Sequence, residues 1–330
     1  MTGLSVIICT YNGASRLENT LRSIVKQKAD FPWELILVDN ASTDSTQQVC
    51  IDFLTEHGKG ISWKIVEESK PGLIYARLCG MRASRYDVLM YCDDDNSLCD
   101  DYLQMGGTIM QQQERIGALG GCGIAEFEGT KPEWFDRYYH SFAVGTQADQ
   151  DGKLKEYPAE VYGAGTFLRK EPLTHFFYNG FQTVLSGRTG NKLVSGDDVE
   201  WCYLLQLAGY EIWYDHRLTF LHLMPEGRMQ WSYYLRLKQA IAAGSGRLIA
   251  YTCLFQNMKA GLIDLLLLWL KKTIRVTAIY LKNKLSNVSG KVKKHPEAEL
   301  GALILEARMK SYWTSLPLTL RHFRQLKSFI

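Results

Sequence analysis

Three consecutive aspartates, Asp93-Asp94-Asp95, followed by Asn96, stand directly behind the apolar run Val88-Leu89-Met90-Tyr91. A run of that length reads as a buried strand, which puts the carboxylates where the strand leaves a sheet, the edge at which open α/β sheets gather ligands. Adjacent like charges oppose one another unless a cation or hydrogen-bond donors neutralise them, and hard oxygen donors suit Mg²⁺ or Mn²⁺. A solvated acidic turn is the alternative reading of the same residues. A second acidic pair, Asp197-Asp198, follows Gly196 and heads a helical pattern over residues 199–208. Carboxylates there either cap the helix or serve as a base. His222 and Arg228 come next, on a stretch read as a loop after a last strand at Glu211–Tyr214. A histidine there is either a metal or phosphate contact or a structural residue.

Four apolar runs, Leu4–Cys9, Leu35–Val38, Lys64–Val66 and Val88–Tyr91, alternate with helical patterns, which predicts an α/β fold with a largely parallel sheet flanked by helices. Leu17, Leu21, Ile24 and Val25 form one apolar stripe behind Ser15-x-x-Glu18, a capping-box pattern, and Ser42-Thr43-Asp44-Ser45 reads as the cap of a second helix with Val49 and Phe53 inward. After residue 100 come glycine-rich segments, Gly117–Gly121 and Gly163-Ala164-Gly165, where glycine permits close approach of a ligand or of another strand. The first loop, Thr10-Tyr11-Asn12-Gly13-Ala14-Ser15, holds one glycine where a dinucleotide fingerprint needs three, and no Walker A sequence occurs. A ligand at this edge would meet an aromatic ring and hydroxyls, with Asp39 at the end of the second strand able to accept from a base N–H and Arg77 to supply charge.

Composition is that of a globular chain, with 46% hydrophobic and 22% charged residues among 330. Eight cysteines without a CxxC pair read as reduced residues, and Leu4 is reached with no basic leader or cleavage pattern, so the expected location is cytoplasmic. The net charge of +3 conceals an asymmetry: residues 251–330 hold 14 Lys/Arg against 4 Asp/Glu. From about Trp231 the pattern is helical. In the stretch 261–282, Asp264, Lys271, Arg275 and Lys282 are spaced 7, 4 and 7 residues apart, within about 20° of one line along a helix, and the remaining surface is mostly apolar. Two readings stay open: a helix lying in an anionic membrane interface with Trp269 and Tyr280 as anchors, peripheral to the inner face of the cell membrane, or a helix packed on the main domain. The longest uncharged run, Leu265–Leu270, is too short to span a bilayer. Basic residues grouped on an apolar helix argue against a nucleic-acid partner.

In their order, Thr10-Tyr11-Asn12, Val38-Asp39-Asn40-Ala41-Ser42-Thr43-Asp44, Pro71-Gly72-Leu73-Ile74-Tyr75-Ala76-Arg77, Asp93–Asn96, Gly163-Ala164-Gly165 and Gly196-Asp197-Asp198 resemble the motifs of family 2 glycosyltransferases. The resemblance covers roughly residues 3–225. It implies a GT-A fold, a Rossmann-like sheet with a helical C-terminal appendage, and inverting transfer from a nucleotide-sugar donor, uridine-linked, to a glycan or lipid-linked acceptor in surface polysaccharide synthesis. Residues 1–228 would form the catalytic domain (donor half 1–100, acceptor half 101–228) and 229–330 the helical, basic region. The same resemblance places Thr10, Tyr11, Asp39 and Arg77 around the nucleoside and Asp93 near the ribose. It places Asp95 on a divalent metal (Mn²⁺ or Mg²⁺), with Asp94 between the two, His222 as a further metal contact and Arg228 on the diphosphate. Asp198 is the expected base, with Asp197 or Glu200 as substitutes, and Asp197, Trp201 and Gly165 lie on the acceptor side, where Trp213, Tyr162 and Trp134 are further candidates for a stacking platform. Polymerising members carry QxxRW; Arg228-Met229-Gln230-Trp231 does not match, so a single transfer is expected. The competing readings are a sugar nucleotidyltransferase and a non-catalytic nucleotide-sugar-binding or assembly subunit.

Overall fold

The computed structural model describes residues 3–185, 187–188, 196–288 and 296–330. Its first part alternates β1 (Leu4–Thr10), α1 (Leu17–Val25), β2 (Trp33–Asp39), α2 (Thr46–His57), β3 (Ser62–Glu67), α3 (Leu73–Ala83) and β4 (Val88–Asp93). There follow β5 (Asn96–Leu98), α4 (Tyr102–Gln112), β6 (Ile116–Phe127), α5 (Phe135–Tyr138), β7 (Gly152–Lys153), β8 (Thr166–Arg169), α6 (Lys170–Tyr178), α7 (Asp197–Leu207) and β9 (Glu211–Met224). The rest is helical: α8 (Trp231–Gly244), α9 (Ile249–Gln256), α10 (Leu262–Val288), α11 (Pro296–Thr314) and α12 (Leu316–Lys327).

The strands form one sheet in the order β3-β2-β1-β4-β8-β6-β9-β5, with β7 added on β9. β1 to β4 are mutually parallel, whereas β8 runs antiparallel to both β4 and β6. Because successive side chains in a strand point to opposite faces, continuous apolar runs serve two cores. Val6, Ile8, Leu35, Leu37 and Met90 pack under α1, α2 and α4, while Ile7, Ile36, Val38, Leu89 and Tyr91 pack under α3, α6 and α7. Each such side chain, fully withdrawn from water, contributes about 1.5–3 kcal/mol. With β1 flanked by β2 on one side and β4 on the other, the chain order reverses at β1, and the carboxyl ends of β1, β2 and β4 open the crevice where such sheets bind ligands.

Two local expectations are corrected. Ser15 caps nothing: α1 begins at Leu17, and its stripe Leu17, Leu21 and Ile24 is buried as predicted from spacing. Ser42–Asp44 does more than cap α2. Asp44 accepts from the Thr46 amide (3.0 Å), while the Asn12 amide donates to Ser42 Oγ (3.0 Å) and the Thr43 amide to Asn12 Oδ1 (2.8 Å). These bonds tie the loops after β1 and β2 together and hold Asn12 at φ 48°, a left-handed conformation asparagine tolerates. The final strand is also longer than its predicted four residues. Asp215-His216-Arg217, just beyond the predicted strand, sits in a bulge of β9, where the register against β6 shifts between Gly120 and Cys122.

Candidate functional site

One cavity of about 580 Å³ lies at the switch point. Its floor is the ends of β1 and β4, with Thr10, Tyr11 and the three aspartates; its far wall carries Tyr162, Gly163, Asp197 and Asp198. Leu237, Ile241, Gly244 and Ser245, on or next to α8, complete it, so the cavity draws on the helical region as well as on the sheet.

The three aspartates have three environments. Asp94 accepts from Thr10 Oγ1 (2.6 Å) and from Arg16 Nε and Nη2 (2.9 and 2.7 Å). Burial raises its carboxyl above the usual value against those bonds. Asp95 accepts from Arg228 Nη1 (2.8 Å) and lies 3.5 Å from His222 Nε2. Burial opposes its charge, but His222, Arg228 and Arg188 outweigh burial and hold the carboxyl well below the usual range. Asp93 is half-buried at the end of β4, in the cavity wall. His222 is within β9, paired with Asn96 of β5, and not on a loop as the sequence reading had it. Arg228 is in the short turn Glu226–Met229 that follows.

Whether these groups suit a divalent ion is decided by their chemistry. Asp95 is held ionised and a histidine nitrogen lies 3.5 Å from it, an O/N pair compatible with Mn²⁺ or Mg²⁺, and Asp93 lines the same cavity. Among the described residues, a tighter grouping of potential ligands is Asp151, Asp215 and His216, whose donor atoms lie within 4.8 Å of one another. None of these three lines the cavity.

The acidic residues heading α7 are likewise distinct. Asp197 is buried and accepts from Arg77 Nη1 at 2.6 Å. Glu200 is fully enclosed and accepts from the Val184 and Leu185 amides and from Tyr251 Oη (2.9 Å). Asp198 alone of the three is partly exposed, facing the cavity, with Oδ2 accepting from the Gly163 amide (3.0 Å) and Oδ1 from the Val199 amide (2.9 Å). Burial, and then the neighbouring Asp197, push its carboxyl up to about 6. Gly163 has to lack a side chain, because a Cβ there would sit 2.7 Å from Arg77 Nη2 and 3.1 Å from Asp198 Cβ.

Several sequence-based placements change. Arg77 lines the cavity but spends its charge on Asp197, with its guanidinium over the Tyr91 and Trp201 rings. Trp201 is 1% exposed, packed on Tyr91 and Phe177 beneath α7, and cannot stack on a sugar. Trp134 belongs to an aromatic cluster with Trp231 and Tyr234, and Trp213 pairs with Glu211 on β9, so of the proposed platform only Tyr162 lines the cavity. Gly165 lies behind the wall, its carbonyl accepting from Tyr102 Oη (2.6 Å). Asp39 ends β2 beside Thr10 and accepts from the Ser42 amide (3.2 Å); the cavity wall carries its neighbour Asn40, whose amide group pins the Glu68–Gly72 loop through Glu68 O, Lys70 O and the Gly72 amide. Arg16 and Arg188 were not singled out from sequence; an arginine in the turn before a helix carries no periodic signal, and its partner is 78 residues away.

Behind α7, His322 of α12 brings Nε2 to 3.5 Å from Glu200. Burial holds the His322 pKa down to about 4, so at neutral pH this is contact with a neutral ring and not an ion pair. Burial also pushes the Glu200 carboxyl up to about 7. Glu200→Gln, which exchanges an acceptor for a donor facing two amides and a phenol, is expected to cost about 2 kcal/mol in urea unfolding.

An acidic strand end at the switch point, faced across one cavity by a carboxylate of raised pKa on a helix, on a mixed and mostly parallel sheet, defines a glycosyltransferase of the GT-A type. Residues 5–177, slightly more than half of the chain, match Glycosyl transferase family 2, and the chain belongs to that family. It is 24% identical over 262 residues to the glycosyltransferase AglE of Haloferax volcanii, an overlap that covers 74% of this chain and 73% of AglE. It is 27% identical over 175 residues to the minor teichoic acid biosynthesis protein GgaA of Bacillus subtilis, 52% of this chain and 38% of GgaA. The fold is similar to that of the mannosyltransferase PcManGT from Pyrobaculum calidifontis in complex with GDP-Man and Mn²⁺, with TM-score 0.55 and 19% identity over 98% of this chain and 86% of that one. It is also similar to residues 1–349 of S. aureus TarS in complex with UDP-GlcNAc, with TM-score 0.52 and 14% identity over 95% and 91%.

Proposed function

We propose that this family 2 enzyme transfers a sugar, with inversion, from a uridine-linked nucleotide donor to a glycan or lipid-linked acceptor in surface polysaccharide synthesis. The observation that carries this reading is the pairing, across one cavity, of the Asp93–Asp95 strand end with Asp198. Tyr11, 45% exposed on the cavity floor beside Thr10, offers a face for a base to stack on, with Asp39 and Asn40 at the same edge. Asp93 would face the ribose. A divalent ion on Asp95 and His222 would supply charge neutralisation for the departing diphosphate. Arg228, on Asp95 here, and Arg188 are the cations within reach of the same phosphates.

On the opposite wall, Asp198 takes the proton of the acceptor hydroxyl as its oxygen attacks the anomeric carbon. The bond to the diphosphate oxygen breaks on the other face of the sugar, the electron pair leaving with the diphosphate. Asp197 and Glu200 are engaged elsewhere, which supports Asp198 as the base. A carboxyl pushed up to about 6 is suited to accepting a proton near neutral pH. Phe142, Leu185, Leu237, Ile241 and Leu248 make much of the acceptor side apolar, which supports an acceptor with a lipid portion. AglE and GgaA, by name a glycosyltransferase and a teichoic acid biosynthesis protein, and TarS, solved with UDP-GlcNAc, support the substrate class.

Titration calorimetry of UDP, GDP, dTDP and CDP, with Mn²⁺ and with excess chelator, tests this reading. UDP is expected to bind selectively, more weakly without metal, and Asp95→Asn to lose about a hundredfold of the Mn²⁺-dependent affinity. Binding of none of the four, with or without metal, would favour the non-enzymatic alternative. Release of pyrophosphate in place of a nucleoside diphosphate would favour a nucleotidyltransferase.

A further inference from the structure

Helix α10 carries two faces of opposite kind. Leu265 and Thr273 are buried, Trp269 donates from Nε1 to Tyr312 O (2.9 Å), and Thr277 accepts from Trp313 Nε1 (2.9 Å), so one side is packed against α11 and its neighbours. About 110° round the helix from that side, Ile263 (75% exposed), Leu267, Leu270, Ile274, Leu281 and Leu285 (72%) face solvent. At 100° per residue these six fall within an arc of about 60° and extend for about 33 Å. Large apolar side chains in a continuous exposed line are a recognition surface and not ordinary surface scatter.

The charges alongside identify what it recognises. Lys271, Arg275 and Lys282 form an exposed row about 90° round the helix from the stripe, and Lys284 lies on the other flank, over the Tyr280 ring. Asp264 is the acidic member of the row, and its carboxylate accepts from the Gly261 amide (2.8 Å). The carboxylate of Glu306 on α11 is taken by Lys310. Residues 251–330 together hold 14 basic against 4 acidic residues. Among the described residues no helix is long and apolar enough to cross a membrane. We propose that α10 lies along an anionic lipid bilayer, with the Ile263–Leu285 stripe at the acyl boundary and Lys271 and Arg275 at the headgroups. A second copy of the chain meeting the same stripe would bring two basic surfaces together, whereas anionic headgroups neutralise them. The anchors differ from those expected from sequence: Trp269 turns inward and aliphatic residues take the interface.

Flotation of the full chain with vesicles of pure phosphatidylcholine, and of equal parts phosphatidylcholine and phosphatidylglycerol, is the test. Binding is expected on the second and not the first. Lys271→Gln with Arg275→Gln should weaken it about thirtyfold, and Leu267→Ser with Ile274→Ser should abolish it. All four positions are exposed, and the thermal unfolding midpoint of each double variant should match the parent, so lost binding is not lost fold. Absence of binding to anionic vesicles, or binding that both double variants retain, overturns the proposal. So does a dimer, seen by light scattering without lipid, that Leu267→Ser with Ile274→Ser dissociates. Vesicle binding is read without turnover, so it stands or falls apart from the glycosyl-transfer reading.

Discussion

Asp198→Asn is expected to lower kcat by about a thousandfold, within the range a positioned base supplies, and to leave the Kd for UDP with Mn²⁺ within about twofold of the parent. The amide changes little in volume and keeps an oxygen for one of the two amides, Gly163 and Val199, that donate to Asp198, so the cavity keeps its shape at the cost of one hydrogen bond. Its effect on folding has the opposite sign to its effect on rate. A carboxyl whose folded pKa is raised binds protons more readily in the folded chain than in the unfolded one, so it contributes stability at acid pH that is lost as pH rises from the unfolded value through about 6. Removing it should therefore leave the thermal midpoint at neutral pH unchanged or higher. In the parent, kcat/KM should fall as pH drops below about 6, where the base becomes protonated. Unchanged turnover in the variant would rule out Asp198 as the base.

Arg77→Ala should have the largest effect on stability, about 3–5 kcal/mol by chemical denaturation. The guanidinium and the Asp197 carboxylate are 2.6 Å apart with side chains 7% and 6% exposed, and deleting the arginine leaves a carboxylate buried without its cation. It also leaves a gap above the Tyr91 and Trp201 rings. Arg77→Ala combined with Asp197→Ala should recover part of the loss, since the unpaired charge goes with its partner. No recovery would assign the cost to packing over the rings and not to the ion pair.

The parts of this protein legible in sequence are those written at short range. Apolar runs located β1 to β4, the Leu17, Leu21, Ile24 spacing gave the inner face of α1, and motif order gave the family. What was not legible depends on partners distant in the chain. Nothing near Arg16 announces Asp94, and the ring count around residue 201 suggested a sugar platform, although Trp201, Leu204 and Leu205 share the buried face of α7 and their spacing already pointed inward. The predicted last strand stops at Tyr214 because the three polar residues that follow, in a bulge of β9, interrupt the apolar run. Motif position alone prefers Asp198 to Asp197 and Glu200; that the other two are engaged, by Arg77 and by Tyr251, is beyond the reach of a local pattern.

The clamp behind α7 gives the site an order of assembly. β1 and β4, whose ends floor the cavity, are complete by Asp93, whereas α7 is held from one side by Arg77, 120 residues earlier, and from the other by Tyr251 and His322. A chain emerging from the ribosome thus has the ends of β1 and β4 long before either α7, or the His222 and Arg228 that meet Asp95, can be fastened in place. Closing contacts of that sequence separation is slow compared with local folding.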